Sequence, residues 1–142
     1  MRYLLDTDHL SILQRPGGRE YPILVAKINL HSIGDVSACI VSFQEQALGA
    51  HSLLSQAKNA VELVRNYQML TRLLESYSEL PVLPFDSNSG DMLGRLKPGK
   101  IRIGKMDLRI AAIALANDIV LATRNHSDFS QIPGLRLVDW TK

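Results

Sequence analysis

A single cysteine, Cys39, leaves this chain unable to close an internal disulfide and offers no thiolate cluster for structural zinc, which makes a reducing compartment, the cytoplasm, the expected location. No apolar run approaches the roughly 18 residues that a bilayer span requires. The short apolar stretch at the N-terminus is broken at once by Asp6 and Asp8, so no signal peptide is expected either. The four histidines, His9, His31, His51 and His126, lack metal-ligand spacing and read as surface or cap residues, with His126 alone standing among other polar residues. Charge of one sign is also scarce. With a net charge of +2 and a pI near 8.8, a nucleic-acid partner must be met by a local patch. Aromatic residues, 6% of the chain, form no obvious platform for stacking bases.

Repeats, low-complexity segments and interdomain linkers are absent, and 142 residues with 46% hydrophobic content suit one compact domain spanning 1–142. Tyr3-Leu-Leu5 reads as a buried strand that delivers Asp6 at its carboxyl end, where open parallel sheets bind ligands. A short helix capped by Asp8 follows, then a helix over about 21–31 with Pro22 in its first turn. A second strand is expected over 35–40, and from Ser42 to Leu54 the residues Phe43, Ala47, Ala50 and Leu54 recur at helical spacing. Ser42-Phe-Gln-Glu45 fits a capping box, which accounts for Glu45 structurally. Between Lys58 and Tyr77, Val61, Val64, Tyr67, Leu70, Leu74 and Tyr77 form an apolar stripe, read as core with contact to a partner chain as the second reading. A short strand over 80–85 and a helix capped by Asp86 come next.

The segment from Arg95 to Arg109 gathers Arg95, Lys97, Lys100, Arg102, Lys105 and Arg109 around one acid, Asp107. That arrangement suits a polyanion held against a bound cation. Asp107 begins a helix rich in small residues and shares a face with Ile110, Ala111 and Ala114, so it should point inward. Ile119 to Thr123 is the clearest buried strand, followed by Arg124-Asn-His-Ser-Asp128, and a last edge strand is expected over 135–140. The class is three-layer α/β with a parallel sheet and right-handed crossovers. Such a sheet gathers Asp6, Glu45, Asp107 and Asp128 at one end. Without cations that crowding is unfavourable, so the cluster either shares protons or binds a hard divalent metal, Mg²⁺ or Mn²⁺.

Leu5-Asp6-Thr7, Ser42-x-x-Glu45-x-x-x-Gly49-Ala50, Asp107-Leu-x-Ile-Ala-Ala112 with Ala114, and Thr123-x-Asn125-x-x-Asp128-Phe129 resemble, in order, the motifs of PIN-domain nucleases. The likeness spans almost the whole chain, whose length is similar to that of the single-domain VapC toxins of toxin–antitoxin pairs. It implies a three-layer α/β/α domain with a central parallel sheet of four to five strands. It further implies a metal-dependent endoribonuclease that forms a homodimer and is neutralised by a cognate antitoxin, with no membrane partner. On this resemblance Asp6, Asp107 and Asp128 are the metal ligands, with Glu45 a ligand through water or an orienter of the attacking water. Thr7 and Asn125 support the site from behind, while Lys100, Arg102, Lys105, Arg109 and Arg124 contact RNA. The chain departs from the family at Asp8, where Asn is common, at Ser42 for Thr, and at Gln46 and Arg109, which replace apolar residues. A non-catalytic PIN-like module that binds RNA or a regulator is the alternative.

Overall fold

The computed structural model describes residues 1–96 and 101–142. Five parallel strands form one sheet in the order β3-β2-β1-β4-β5, comprising β1 (Tyr3–Leu5), β2 (Val36–Cys39), β3 (Val82–Leu83), β4 (Val120–Ala122) and β5 (Leu137–Val138). Helices α1 (Thr7–Leu13), α2 (Tyr21–Ile28), α3 (Ile40–Ser55), α4 (Ala60–Ser78), α5 (Ser87–Leu96), α6 (Lys105–Ala116) and α7 (His126–Phe129) connect them. A 3₁₀ turn over Ile33–Asp35 leads into β2.

Side chains along a strand alternate between faces, and here that alternation separates two cores. Leu4, Cys39 and Leu121 pack with Ile110, Ile113 and Phe129 on one side of the sheet. Their sequence neighbours Leu5, Ala38 and Ala122 pack with Leu10, Leu24, Leu73, Tyr77 and Trp140 on the other. The result is the α/β/α sandwich expected of the sequence, with five strands. Five consecutive residues of α6, Ile110 to Ala114, are fully buried, because three alanines let this helix lie close on the sheet. Asp118, with φ 52°, ends it in the left-handed conformation that Asp tolerates better than most residues.

Several expectations are corrected. Helix α1 is capped by Asp6, whose Oδ1 accepts from the Thr7 N–H at 2.8 Å, and not by Asp8. Helix α3 begins at Ile40, directly after β2, so Ser42 is already inside its first turn and forms no capping box with Glu45. The reciprocal pattern occurs instead at α4, where Asn59 Oδ1 accepts from the Glu62 N–H and Glu62 Oε2 accepts from the Lys58 N–H. The α4 stripe is only partly core: Tyr77 is buried and Leu70 packs partly buried beside it, whereas Val61, Val64, Tyr67 and Leu74 are exposed, and the helix buries Leu73, outside the stripe, in their place. His9 is neither a surface nor a cap residue. It is completely buried.

Candidate active site

Strand β1 sits at the middle of the sheet, flanked by β2 and β4, so the three segments leaving the carboxyl ends of these strands meet at one edge. The Asp6 N–H donates to Ala122 O at 2.9 Å, which extends the β1–β4 ladder by one residue and fixes the Asp6 backbone beside Thr123. The two carboxylate oxygens of Asp6 then divide their work. Oδ1 caps α1, while Oδ2 accepts from the buried Thr123 hydroxyl at 2.7 Å. Only 5% of Asp6 is exposed.

Burial raises the Asp6 carboxyl from 3.8 to about 7, and the nearby negative charge of Asp8 adds to the rise; the hydrogen bonds from Thr123 and Thr7 hold it down in part, and Asp107 contributes a smaller push upward. Asp107, in the first turn of α6, is raised as well. Burial is its largest cause, followed by the charges of Glu45, Asp128 and Asp8. These mutual effects are the electrostatic signature of one cluster, because like charges disfavour each other's ionised form only at close range.

The supporting residues pair off with individual acids. Thr7 Oγ1 donates to Glu45 Oε1 at 2.7 Å and lies 3.0 Å from the buried Ser42 hydroxyl, which joins α1 to α3. Asn125 Nδ2 donates to Asp128 Oδ2 at 3.0 Å, across the first turn of α7. Gln46, on the next position of α3, turns the other way: it exchanges hydrogen bonds with Gln14 and accepts from the Tyr77 hydroxyl, tying α3 to α1 and α4. A polar residue after Glu45 is therefore satisfied within a helix–helix contact.

All the oxygen-donor residues chosen from the sequence thus lie at one end of the sheet, and their chemistry fits a hard cation. Among the described residues, no three His, Cys, Asp or Glu side chains stand as a ready-made metal-binding group. The fit rests on donor type and on the crowding that raises Asp6 and Asp107, which a divalent cation would relieve.

Of the basic residues, Arg102, Lys105 and Arg124 are exposed, and Arg109 is half-buried with a guanidinium nitrogen 3.8 Å from Met106 Sδ. Lys97 and Lys100 lie outside the described residues. Beside the acids, Ile40, Phe43, Leu48, Phe85, Leu93 and Arg109 help line an apolar groove of about 820 Å³ between α3, α5 and α6. Reasoning from sequence missed the burial of His9 and its contact with Asp8. The adjacency of the two, next to Asp6, was the only available signal.

No family model matches the chain. It is 33% identical over 67 residues to the tRNA(fMet)-specific endonuclease VapC of Salmonella typhimurium, a match covering 44% of this chain and 51% of that protein, so the chain spans about half the length of this curated relative. Among solved structures it is similar to a chain of VapBC-1 from nontypeable Haemophilus influenzae, with a TM-score of 0.78, 24% identity and 100% of each chain covered. It is likewise similar to a chain of VapBC2 from Rickettsia felis bound to a promoter DNA fragment, with a TM-score of 0.77, 23% identity and 99% of each chain covered.

Proposed function

We propose that this chain, which has the VapC-like PIN-domain fold, is a metal-dependent endoribonuclease whose site is the acid cluster at the carboxyl ends of β1, β2 and β4. The observation that carries the reading is the convergence of Asp6, Glu45, Asp107 and Asp128 at one end of the sheet, with Thr123, Thr7 and Asn125 holding three of the carboxylates; the raised pKa of Asp6 and Asp107 accords with it. Asp6, Asp107 and Asp128 would hold Mg²⁺ or Mn²⁺, with Glu45 holding it through water or orienting the attacking water. The cation's contribution, once bound, is to make a water nucleophilic near neutral pH and to offset negative charge on the phosphoryl group.

The remaining work falls to the chain itself. The Thr7 hydroxyl fixes the Glu45 carboxylate, and the Asn125 amide fixes Asp128. Thr123 does the same for Asp6, so each of these acids is aimed before substrate arrives. Arg102, Lys105 and Arg124 supply salt-sensitive attraction for the RNA backbone, and Arg109 is available to phosphate or to a protein partner. Water oxygen bonds to phosphorus as the P–O3′ bond breaks, and the leaving 3′ oxygen takes a proton, giving a 3′-hydroxyl and a 5′-phosphate. The name of the Salmonella relative makes transfer RNA the first substrate to test.

An antitoxin partner is proposed because the similar solved structures are VapBC complexes. A homodimer is proposed alongside it. Two exposed apolar faces, the groove beside the acids and the Val61–Val64–Tyr67 face of α4, supply surface for such contacts.

The test is cleavage of transfer RNA by the purified protein with Mg²⁺ and with EDTA, repeated with Asp6→Asn and Asp107→Asn. Each substitution is expected to lower the rate by about 100-fold or more, as loss of a metal ligand or its orienting partner does. Variants that cut as fast as wild type would sink the metal-site reading and leave a non-catalytic binding module in its place.

A further inference from the structure

Behind the acid cluster runs a chain of hydrogen bonds that starts in the C-terminal segment and ends on the loop after β4. The backbone N–H of Trp140 donates to His9 Nε2 at 3.1 Å. A backbone amide can only donate, so Nε2 accepts and the imidazole proton sits on Nδ1. Nδ1 is 2.6 Å from Asp8 Oδ1 and donates to it. The other oxygen of Asp8 accepts from the Arg124 N–H at 2.9 Å and lies 3.3 Å from the Thr123 hydroxyl.

Asp8 is thereby engaged by two donors other than Thr123, and the single hydroxyl proton of Thr123 is left for Asp6, its nearer acceptor at 2.7 Å. The same hydroxyl accepts from the Asn125 N–H at 3.0 Å. Three consecutive residues of the β4–α7 loop, Thr123, Arg124 and Asn125, are therefore placed by contacts that depend on Asp8 or on the hydroxyl it leaves free. Asp128 follows them on α7 and is held by Asn125. Complete burial fixes the imidazole, whereas the Asp8 side chain is 30% exposed.

We propose that His9 and Asp8 are a positioning pair: His9, anchored by the Trp140 amide, aims its Nδ1–H at Asp8, and Asp8 clamps the Arg124 amide so that the β4–α7 loop presents Asn125 and Asp128 to the site. The consequence for cleavage rests on the nuclease reading, while the clamp itself does not. The pair forms a support outside the four acids, and it connects the C-terminal edge of the sheet to them.

Two substitutions separate the halves of the imidazole. His9→Asn retains a donor near the Nδ1 position and loses the acceptor for Trp140, whereas His9→Gln retains an acceptor near Nε2 and loses the donor to Asp8. Hydrogen exchange at the Arg124 amide, read by NMR on the whole protein, is expected to speed up roughly tenfold in His9→Gln and to stay within roughly twofold of wild type in His9→Asn. Mn²⁺ affinity measured by calorimetry is expected to fall about tenfold in His9→Gln only, as loss of a ligand's supporting partner produces. Asp8→Ala, at a partly exposed position, removes the acceptors of both His9 and Arg124 and should reproduce the Gln result if His9→Gln fails to fold. Equal behaviour of the Asn and Gln variants, or wild-type Arg124 exchange in Asp8→Ala, overturns the clamp. Should wild-type protein cleave no RNA, the nuclease reading falls while the exchange experiment still decides the clamp.

Discussion

Replacing Asp6 by Asn is expected to stabilise the cation-free protein above neutral pH, even though Asp6 caps a helix. Asn Oδ1 can accept from the Thr7 N–H as Asp does, and Asn is as good a cap as Asp. Its Nδ2 faces the Thr123 oxygen, which can accept from it and turn its own proton toward Asp8 Oδ2, 3.3 Å away. No hydrogen bond is lost, and a buried charge is removed. Because the folded carboxyl sits at about 7 against 3.8 for the free group, the native state binds more protons than the unfolded state between those values. Stability from this group is therefore fully present below pH 3.8 and declines as pH rises through 7. At about 1.36 kcal/mol for each pH unit, the interval corresponds to about 4 kcal/mol, an upper bound for the residue in place. Asn has no such dependence. Urea unfolding in EDTA should show wild type losing stability between pH 5 and pH 8 more steeply than Asp6→Asn. At pH 8 the variant should lead by about 2–4 kcal/mol, on the order of 10 °C in melting temperature. Added Mn²⁺ should raise the melting temperature of wild type much more than that of the variant. A variant less stable than wild type at pH 8 in EDTA would refute the reasoning, because the ionised carboxylate would then be a net stabiliser of the fold.

Other outcomes follow from the same geometry. Thr7→Val removes the hydroxyl that orients Glu45 while preserving shape, and RNA cleavage should fall about tenfold with stability changed by about 1 kcal/mol or less; an unchanged rate would detach Glu45 from the chemistry. Arg102→Ala and Lys105→Ala should each flatten the dependence of log RNA affinity on log salt by about 0.7 for single-stranded RNA, measured by fluorescence anisotropy, and an unaltered slope would remove that residue from the RNA path. Leu48→Glu in the groove or Val64→Glu on α4 should convert the proposed dimer to a monomer by light scattering, and a dimer that survives both substitutions shows that neither face joins the copies.

Local pattern carried the positions of the acids well. Asp107 could be aimed inward because Ile110, Ala111 and Ala114 follow it at helical spacing, and all three are fully buried. Asp6 could be placed at a strand end from the apolar run before it. What the sequence obscured was long-range pairing. Ser42 and Glu45 satisfy a capping rule that depends on where the helix starts, and β2 passes into α3 at Ile40 with Cys39 as the N-cap, three residues before Ser42. His9 looked like a surface residue because its partners are Asp8 beside it and Trp140 at the other end of the chain. The α4 stripe had the right period for a core helix, yet periodicity does not say what covers the face, and Val61, Val64 and Tyr67 remain exposed. The cap and cluster explanations of Asp6, which look like rivals on the sequence, turn out to occupy different oxygens of one carboxylate.

The pairing of β1 with β4 also sets an order in time. Leu4 must wait for Leu121 and Asp6 for Thr123, partners separated by 117 residues of chain. During synthesis from the N-terminus, the first strand is made long before its neighbour, and the edge strand that completes the sheet is later still. Closing a contact over that distance costs loop entropy and makes this step slow relative to forming the local helices. A nascent chain that stops short of β4 thus carries Asp6, Glu45 and Asp107 without the strand that draws them together. The site comes into being only once β4 and Thr123 after it have left the ribosome and paired with β1.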